Sequence, residues 1–84
     1  MGTKLNATER KTLEVLHKGF FTFKGDSHFR TYTQATRTLN RLERLGLVKR
    51  EEHDANMYVM TPLALEWQKY PNVPLAEVAS WMPN

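Results

Sequence analysis

Apolar side chains in the middle of the chain recur at i, i+4 and i+7, which places them on one face of a helix. They are Ala35, Leu39 and Leu42. The pattern predicts a helix over 31–45 that is buried on this side. Thr31 is suited to cap its first turn, with Gln34 reaching back to the backbone, and Gly46 is suited to a left-handed C-terminal cap.

A second helix is expected near the start of the chain, over 7–18. Asn6 and Glu9 have the spacing of a capping box, in which each side chain accepts a hydrogen bond from the other residue's backbone. A narrow apolar stripe runs along this helix, and Gly19 follows it as a stop signal.

The pattern after the central helix predicts a hairpin and two further helices. Residues 47–52 and 57–61 have the composition of two short strands joined by a turn. Thr61-Pro62 then supplies the N-cap and first residue of a helix that reaches to about Tyr70. A last short helix is expected after Pro74. Its apolar face contains Leu75, Val78, Ala79 and Met82.

Residues 20–30 fit either a strand followed by a turn or a very short helix. Phe21 and Phe23 alternate with a polar residue as in a strand, whereas the turn residues that follow could also cap a helix. The segment carries all four phenylalanines: Phe20, Phe21, Phe23 and Phe29. We expect them in the core, because a small domain needs large apolar side chains inside.

Length and composition indicate a small globular protein. We expect one domain over 1–84, with a core over about 5–68 and a C-terminal extension over 69–84. The absence of cysteine excludes a disulfide framework, and no apolar run approaches the ~20 residues that a membrane span needs. We therefore expect a cytoplasmic protein without a membrane partner.

Positive charge is concentrated on the central helix. Residues 30–50 contain six basic residues and one acidic residue, whereas residues 51–84 contain one basic and five acidic residues. Arg37, Arg41 and Arg44 recur at i, i+4 and i+7 and fall opposite the apolar stripe. Such a face is typical of a nucleic-acid interface, although a solvated helix surface gives the same pattern.

The order of elements is helix, aromatic segment, basic helix, hairpin and helix, and two motifs mark it. They are Leu39-Asn40-Arg41-Leu42-Glu43-Arg44-Leu45-Gly46-Leu47-Val48 and Met60-Thr61-Pro62. Over residues 5–68 this arrangement resembles the winged helix-turn-helix domains of bacterial and phage regulators, MarR-like and PadR-like ones included. The resemblance implies a mainly α, α+β fold with a three-helix core, a β-hairpin as the wing and C-terminal helices.

By the same resemblance, the helix over 31–45 is the recognition helix of a transcriptional regulator that binds double-stranded DNA sequence-specifically. Arginine pairs with guanine and glutamine with adenine in the major groove, and the residues expected there are Gln34, Arg37, Thr38 and Arg41. The remaining DNA-binding residues, several of them suited to phosphate contacts, are Arg30, Thr33, Arg44, Lys49 and Arg50.

The predicted hairpin favours a different partner. Glu51, Glu52 and Asp54 lie near its tip without a lysine or arginine there, and phosphates would repel such a tip. The alternative is a winged-helix adaptor or inhibitor that binds a protein partner, such as part of the transcription machinery, through its acidic wing. A weaker alternative is an RNA or single-strand binder that stacks bases on exposed phenylalanines.

A single recognition helix binds DNA weakly, so we expect a homodimer that spans two half-sites. Aromatic and methionine side chains are enriched at interfaces, and the C-terminal region supplies candidates that would equally fit a cap on the core. They are Trp67, Tyr70, Leu75, Val78, Trp81 and Met82.

Catalysis and metal binding are not expected. His17, His28 and His53 lack the spacing of metal ligands, and the sequence shows neither a glycine-rich phosphate loop nor a nucleophile beside a base. We therefore expect no enzyme activity, no metal and no cofactor.

Overall fold

The computed structural model describes residues 4–82, which form four helices and one two-stranded antiparallel hairpin. The order along the chain is helix α1, helix α2, strands β1 and β2, and helices α3 and α4. Their bounds are Ala7–Gly19, Tyr32–Arg44, Val48–Arg50, Tyr58–Met60, Pro62–Lys69 and Leu75–Trp81. The expected mainly α, α+β class is confirmed, and this arrangement is compatible with a winged helix.

Local caps explain why the helices begin where the sequence predicts. Asn6 and Glu9 form the complete capping box of α1, with both hydrogen bonds at 2.8 Å. The Thr31 hydroxyl accepts the backbone N–H of Gln34 at 3.0 Å, and Thr61 caps α3 in the same way. Each cap gives a partner to an N–H that the first helical turn leaves unpaired.

The C-terminal ends of α1 and α2 differ in the residue that takes the left-handed conformation. Gly46 has φ +80°, and the amides of Gly46 and Leu47 donate to the last turn of α2 at 3.0 and 2.9 Å, as in a Schellman motif. The expected role of Gly19 is wrong, because Gly19 is the last residue of α1 and Phe20 takes the left-handed position with φ +72°.

One core joins the helices to the hairpin. α2 contributes Ala35, Leu39 and Leu42, all of them fully buried as the sequence predicts. Removing such side chains from water stabilises the fold and fixes which face of α2 is turned outward. The other buried apolar residues are Leu13, Leu16, Phe29, Leu47, Val48, Tyr58, Ala64, Leu75 and Val78.

The segment between α1 and α2 forms a β-bridge followed by turns, so the strand-and-turn alternative is confirmed. Thr22 pairs with Tyr58 of β2 through two backbone hydrogen bonds of 2.9 and 2.8 Å. Within the described residues, only α1 and α2 precede the hairpin, and no helix lies between them.

Three of the four phenylalanines lie outside the core, contrary to expectation. Phe29 is buried, whereas Phe20, Phe21 and Phe23 are exposed over 81%, 43% and 42% of their surface. The bridge explains the exposure of Phe21 and Phe23: successive residues of an extended segment point to opposite sides, so burying Thr22 turns both rings outward.

The hairpin and the C-terminal helices follow the predicted order with shorter strands. β1 and β2 pair Val48 with Met60 and Arg50 with Tyr58, and residues 51–57 form the connecting turn. α4 buries only part of its expected face, since Ala79 is exposed. None of the helices described combines the length and apolar character that crossing a lipid bilayer requires.

Candidate nucleic-acid interface

The outward face of α2 carries one continuous row of exposed side chains. These residues recur at i, i+4, i+7 and i+11, so they lie above one another along the helix. They are Thr33, Arg37, Asn40 and Arg44, and we call this row the basic stripe. Because the opposite face of α2 is locked into the core, the stripe is held in a fixed direction.

Two arginines give the stripe its charge. Arg37 and Arg44 are seven residues apart, which separates their Cα atoms by about 10 Å along the helix axis. Neither side chain has an ion pair with an acidic residue among residues 4–82. The acidic residue of α2, Glu43, lies to one side of the stripe, 3.6 Å from the Nε of Arg50. The positive charge is therefore available to a partner.

Arg41 does not join this row, although the sequence groups it with Arg37 and Arg44. Its Nη1 donates to the Oε1 of Glu9 on α1, and its Nη2 donates to the carbonyl oxygen of Lys4 at 2.9 Å. Glu9 is buried and also closes the capping box of α1. Arg41 consequently neutralises a buried carboxylate, which would be costly to leave unpaired.

Gln34 and Thr38, also expected at the DNA, lie on the side of α2 turned toward the rest of the fold. The Gln34 Oε1 accepts the backbone N–H of Arg30 at 2.8 Å, one residue before the predicted capping-box position, and its Nε2 donates to the Thr8 hydroxyl at 3.4 Å. Thr38 is buried. Gln34 therefore helps to position α2, and Thr38 is largely enclosed by the fold.

The remaining predicted DNA-binding residues are exposed, and two of them, Thr33 and Arg44, belong to the stripe. Arg30 precedes α2, and Thr33 lies in its first turn. On β1, Lys49 pairs with Val59 across the hairpin, and Arg50 lies with its guanidinium 5.9 Å from the ring centre of Tyr58.

Asn40 is the residue of the stripe that sequence reasoning missed. Its spacing of three from Arg37 and four from Arg44 was a usable signal, because these spacings define neighbours on a helix surface. The charge pattern does not reveal Asn40, because asparagine carries no charge.

The tip of the hairpin is acidic, and two of its carboxylates hold the turn. Glu51 accepts the backbone N–H of His53 at 3.2 Å, and Asp54 accepts that of Asn56 at 2.9 Å. Glu52 is exposed and makes no side-chain hydrogen bond among the described residues. The tip therefore remains a negatively charged surface, as the sequence indicates.

The structure divides the predicted protein interface into buried and exposed residues. Leu75 and Val78 are buried within the chain, and the indole Nε1 of Trp67 donates to the Val73 carbonyl at 2.8 Å. Tyr70 and Trp81 are exposed and pack edge to face, with ring centres 5.4 Å apart. Met82 is half-buried. Of this set, Tyr70 and Trp81 offer the largest free apolar surface.

Comparisons with known proteins gave no match to a protein-family model, to a curated protein or to a solved structure. Over residues 4–82, no group of three or more acidic or histidine side chains is placed to hold a metal ion.

Proposed function

We propose that this chain is a winged-helix protein that binds double-stranded DNA by laying the basic stripe of α2 in the major groove. One observation carries the proposal: Arg37 and Arg44 share an exposed row that contains no acidic residue, on a helix whose other face is buried. The major groove is about 12 Å wide and admits an α-helix.

The residue types of the stripe and of β1 suit contacts with both base edges and phosphates along the groove. Arginine can donate two hydrogen bonds to guanine and asparagine can pair with adenine, so Arg37 and Asn40 are assigned to base edges. Arg44, at the far end of α2, and Lys49, on β1, are assigned to phosphates, which fix register without reading sequence. This assignment supports a sequence-specific regulator of the bacterial or phage type.

A homodimer spanning two half-sites remains part of the proposal, because one helix buries too little surface for tight binding. Exposed aromatic side chains are enriched at protein interfaces. Tyr70 and Trp81 support a contact at the C-terminal end of the chain.

The test is a fluorescence-anisotropy titration of a mixed-sequence duplex at low salt. Arg37→Ala is expected to weaken binding about tenfold or more, since a hydrogen bond from a charged group contributes about 1.5–3 kcal/mol. Lys69→Ala is the matched control, because it removes the same charge from an exposed position on α3. Equal affinities of the two variants would contradict the assignment of the stripe.

A second candidate function is binding of a protein with a basic surface through the hairpin tip. The observation that favours it is the exposed Glu52 beside two further carboxylates, with no lysine or arginine in residues 51–57. Substituting Glu52 would then abolish capture of that protein, whereas Arg37→Ala would leave it intact. DNA binding through the stripe predicts the opposite result, in which Arg37→Ala weakens binding and the Glu52 substitution does not.

A further inference from the structure

A groove of about 340 Å³ lies between the segment that precedes α2, the start of α2 and the hairpin. Tyr32, the first residue of α2, and Arg50 of β1 both line it. The other lining residues are Phe23, Lys24, Gly25, Ala55, Asn56 and Tyr58. The volume is at the lower end of the range of about 300–1,000 Å³ that small-ligand pockets occupy.

The lining pairs positive charge with aromatic rings. The Nζ of Lys24 lies 5.7 Å from the ring centre of Tyr32, and the guanidinium carbon of Arg50 lies 5.9 Å from that of Tyr58. None of the described lining residues is acidic. Arg50 also contacts Glu43 at 3.6 Å, at a distance typical of a weak surface pair that a phosphate could replace.

Two of the rings present free surface in the groove. Tyr32 is 68% exposed, and Phe23 is turned outward by the bridge at Thr22. Gly25 leaves room for the Phe23 ring, because a Cβ atom at this position would lie 3.2 Å from the Phe23 Cε2, which is tighter than an ordinary contact. A glycine therefore lets this lining ring lie close against the backbone.

We propose that this groove binds one unpaired nucleotide, with its base stacked on Tyr32 and Phe23 and its phosphate between Lys24 and Arg50. Every base has a flat face that stacks on an aromatic ring, and a nearby cation neutralises the phosphate. A base inside a duplex is covered on both faces, so the occupant must be unstacked. Asn56 is placed to hydrogen-bond the base edge.

The site is distinct from the basic stripe and does not depend on duplex binding. It uses Lys24, Tyr32 and Arg50, whereas the stripe uses Arg37 and Arg44. The two sites can therefore be separated by substitution, and either one can fail without the other.

The experiment measures binding of fluorescein-labelled oligothymidine by anisotropy, with circular dichroism to verify that each variant is folded. Tyr32→Leu is expected to weaken binding by about 5-fold to 150-fold, the range that loss of one stacked base produces. Tyr32→Phe keeps the ring and is expected to bind as the parent does. Equal binding by the Leu and Phe variants would overturn the proposal.

A second pair of variants tests the phosphate contact. Lys24→Gln should weaken oligothymidine binding more than Lys24→Arg does. The duplex affinity of both variants should be at least as high as that of Lys69→Ala. Conversely, Arg37→Ala should reduce duplex affinity and leave oligothymidine binding at the Lys69→Ala level. If oligothymidine affinity falls in the stripe variants and is unchanged in the groove variants, the proposed nucleotide site is wrong. The duplex proposal would still stand.

Amide chemical shifts distinguish the two sources of such a nucleotide. Thymidine 5′-monophosphate that shifts Lys24, Tyr32, Arg50 and Asn56 identifies a free nucleotide as a sufficient ligand. Shifts with oligothymidine alone identify a nucleotide within a strand. Inorganic phosphate producing the same shifts as both would overturn the role of the base, and no shifts with any of the three would overturn the site.

Discussion

A buried carboxylate beside an arginine determines how one face of α2 is used. Glu9 accepts hydrogen bonds from the Asn6 amide and from Arg41, so its charge is compensated inside the fold. Taking Arg41 away would leave that charge with the amide alone, because Glu9 has no other ion pair among the described residues. At this position the arginine pairs with a buried carboxylate and stabilises the protein.

Arg41→Ala is therefore expected to lower the free energy of unfolding by about 1–3 kcal/mol. The value lies below the 3–5 kcal/mol typical of fully buried pairs, because Arg41 is partly exposed. Arg37→Ala, an exposed change on the same helix, should stay within about 0.5 kcal/mol. Urea unfolding followed by tryptophan fluorescence measures both, and equal stabilities would contradict the role given to Arg41.

The side chain of His28 is nearly inaccessible to solvent, and the position of its proton follows from its neighbours. The Thr12 hydroxyl donates to the Thr8 carbonyl at 2.8 Å, so its oxygen accepts from the His28 Nε2 at 3.0 Å. The Nδ1 is then an unprotonated atom without a hydrogen-bond partner among the described residues, 3.9 Å from the Asp26 carboxylate. Burial of the side chain, which is 7% exposed, lowers the pKa of His28 from its usual 6.5, an effect that Asp26 opposes and Lys11 reinforces.

This lowered pKa predicts that acid weakens the fold. Between the folded pKa and 6.5 the unfolded chain holds more protons than the folded chain, so the free energy of unfolding falls as pH decreases through that window. The loss is at most about 1.4 kcal/mol per pH unit. Thermal unfolding at pH 7.5 and about 5.5 should show a smaller loss for His28→Gln, which can still donate to Thr12. Identical losses would exclude His28 as the cause.

At the level of elements, local signals specify the ends of the helices better than their orientation. The caps at Asn6, Thr31 and Gly46 act within one turn, which is why the sequence places α1 and α2 closely. The pairing of Arg41 with Glu9 joins residues 32 positions apart, and the bridge from Thr22 to Tyr58 spans a similar gap. Helical periodicity and strand alternation contain no information about such contacts.

The same limit explains the phenylalanines and the candidate site. Composition favours Phe20, Phe21 and Phe23 inside the core. Which side chains of this segment face the core is decided by the pairing of Thr22 with Tyr58, however, and the sequence does not show that pairing. The sequence identified Arg37 and Arg44 correctly as exposed cations of one face. It could not separate them from Arg41, because periodicity places that residue only about 40° from Arg37.

Gly46 provides a prediction at the end of α2. Gly46→Ala is expected to reduce the free energy of unfolding by about 1–2 kcal/mol, because an alanine at φ +80° is strained. Steric contact adds little, since the new Cβ would lie 3.5 Å from the Leu63 Cδ2, an ordinary contact distance.

The control for this change is Gly19→Ala. Gly19 has an ordinary helical conformation, and a Cβ atom there would meet nothing within 4 Å. Alanine should be neutral or stabilise α1 by up to about 1 kcal/mol, since it reduces the freedom of the unfolded chain. A comparable loss of stability in both variants would show that the left-handed conformation is not the cause.

For the whole molecule, charge is divided between the two halves of the chain. The described part measures about 33 × 28 × 21 Å, so its basic stripe and acidic hairpin tip lie within a few Debye lengths of each other at physiological salt. A polyanion that approaches the stripe is attracted by Arg37 and Arg44 and repelled by the carboxylates of the hairpin tip. Salt screens both the attraction and the repulsion. Affinity that falls as salt is added therefore indicates binding at the stripe, and affinity that rises indicates a ligand held near the acidic tip.

The most direct test of the proposed function is the salt dependence of affinity for a duplex of about 20 base pairs. Binding through the stripe predicts that log K falls linearly as log [salt] rises, with a slope of about −0.9 for each phosphate neutralised. Arg44→Ala should make this slope shallower by about 0.9, whereas Lys69→Ala should leave it unchanged. Absence of duplex binding at low salt, or equal slopes for these two variants, would contradict the account.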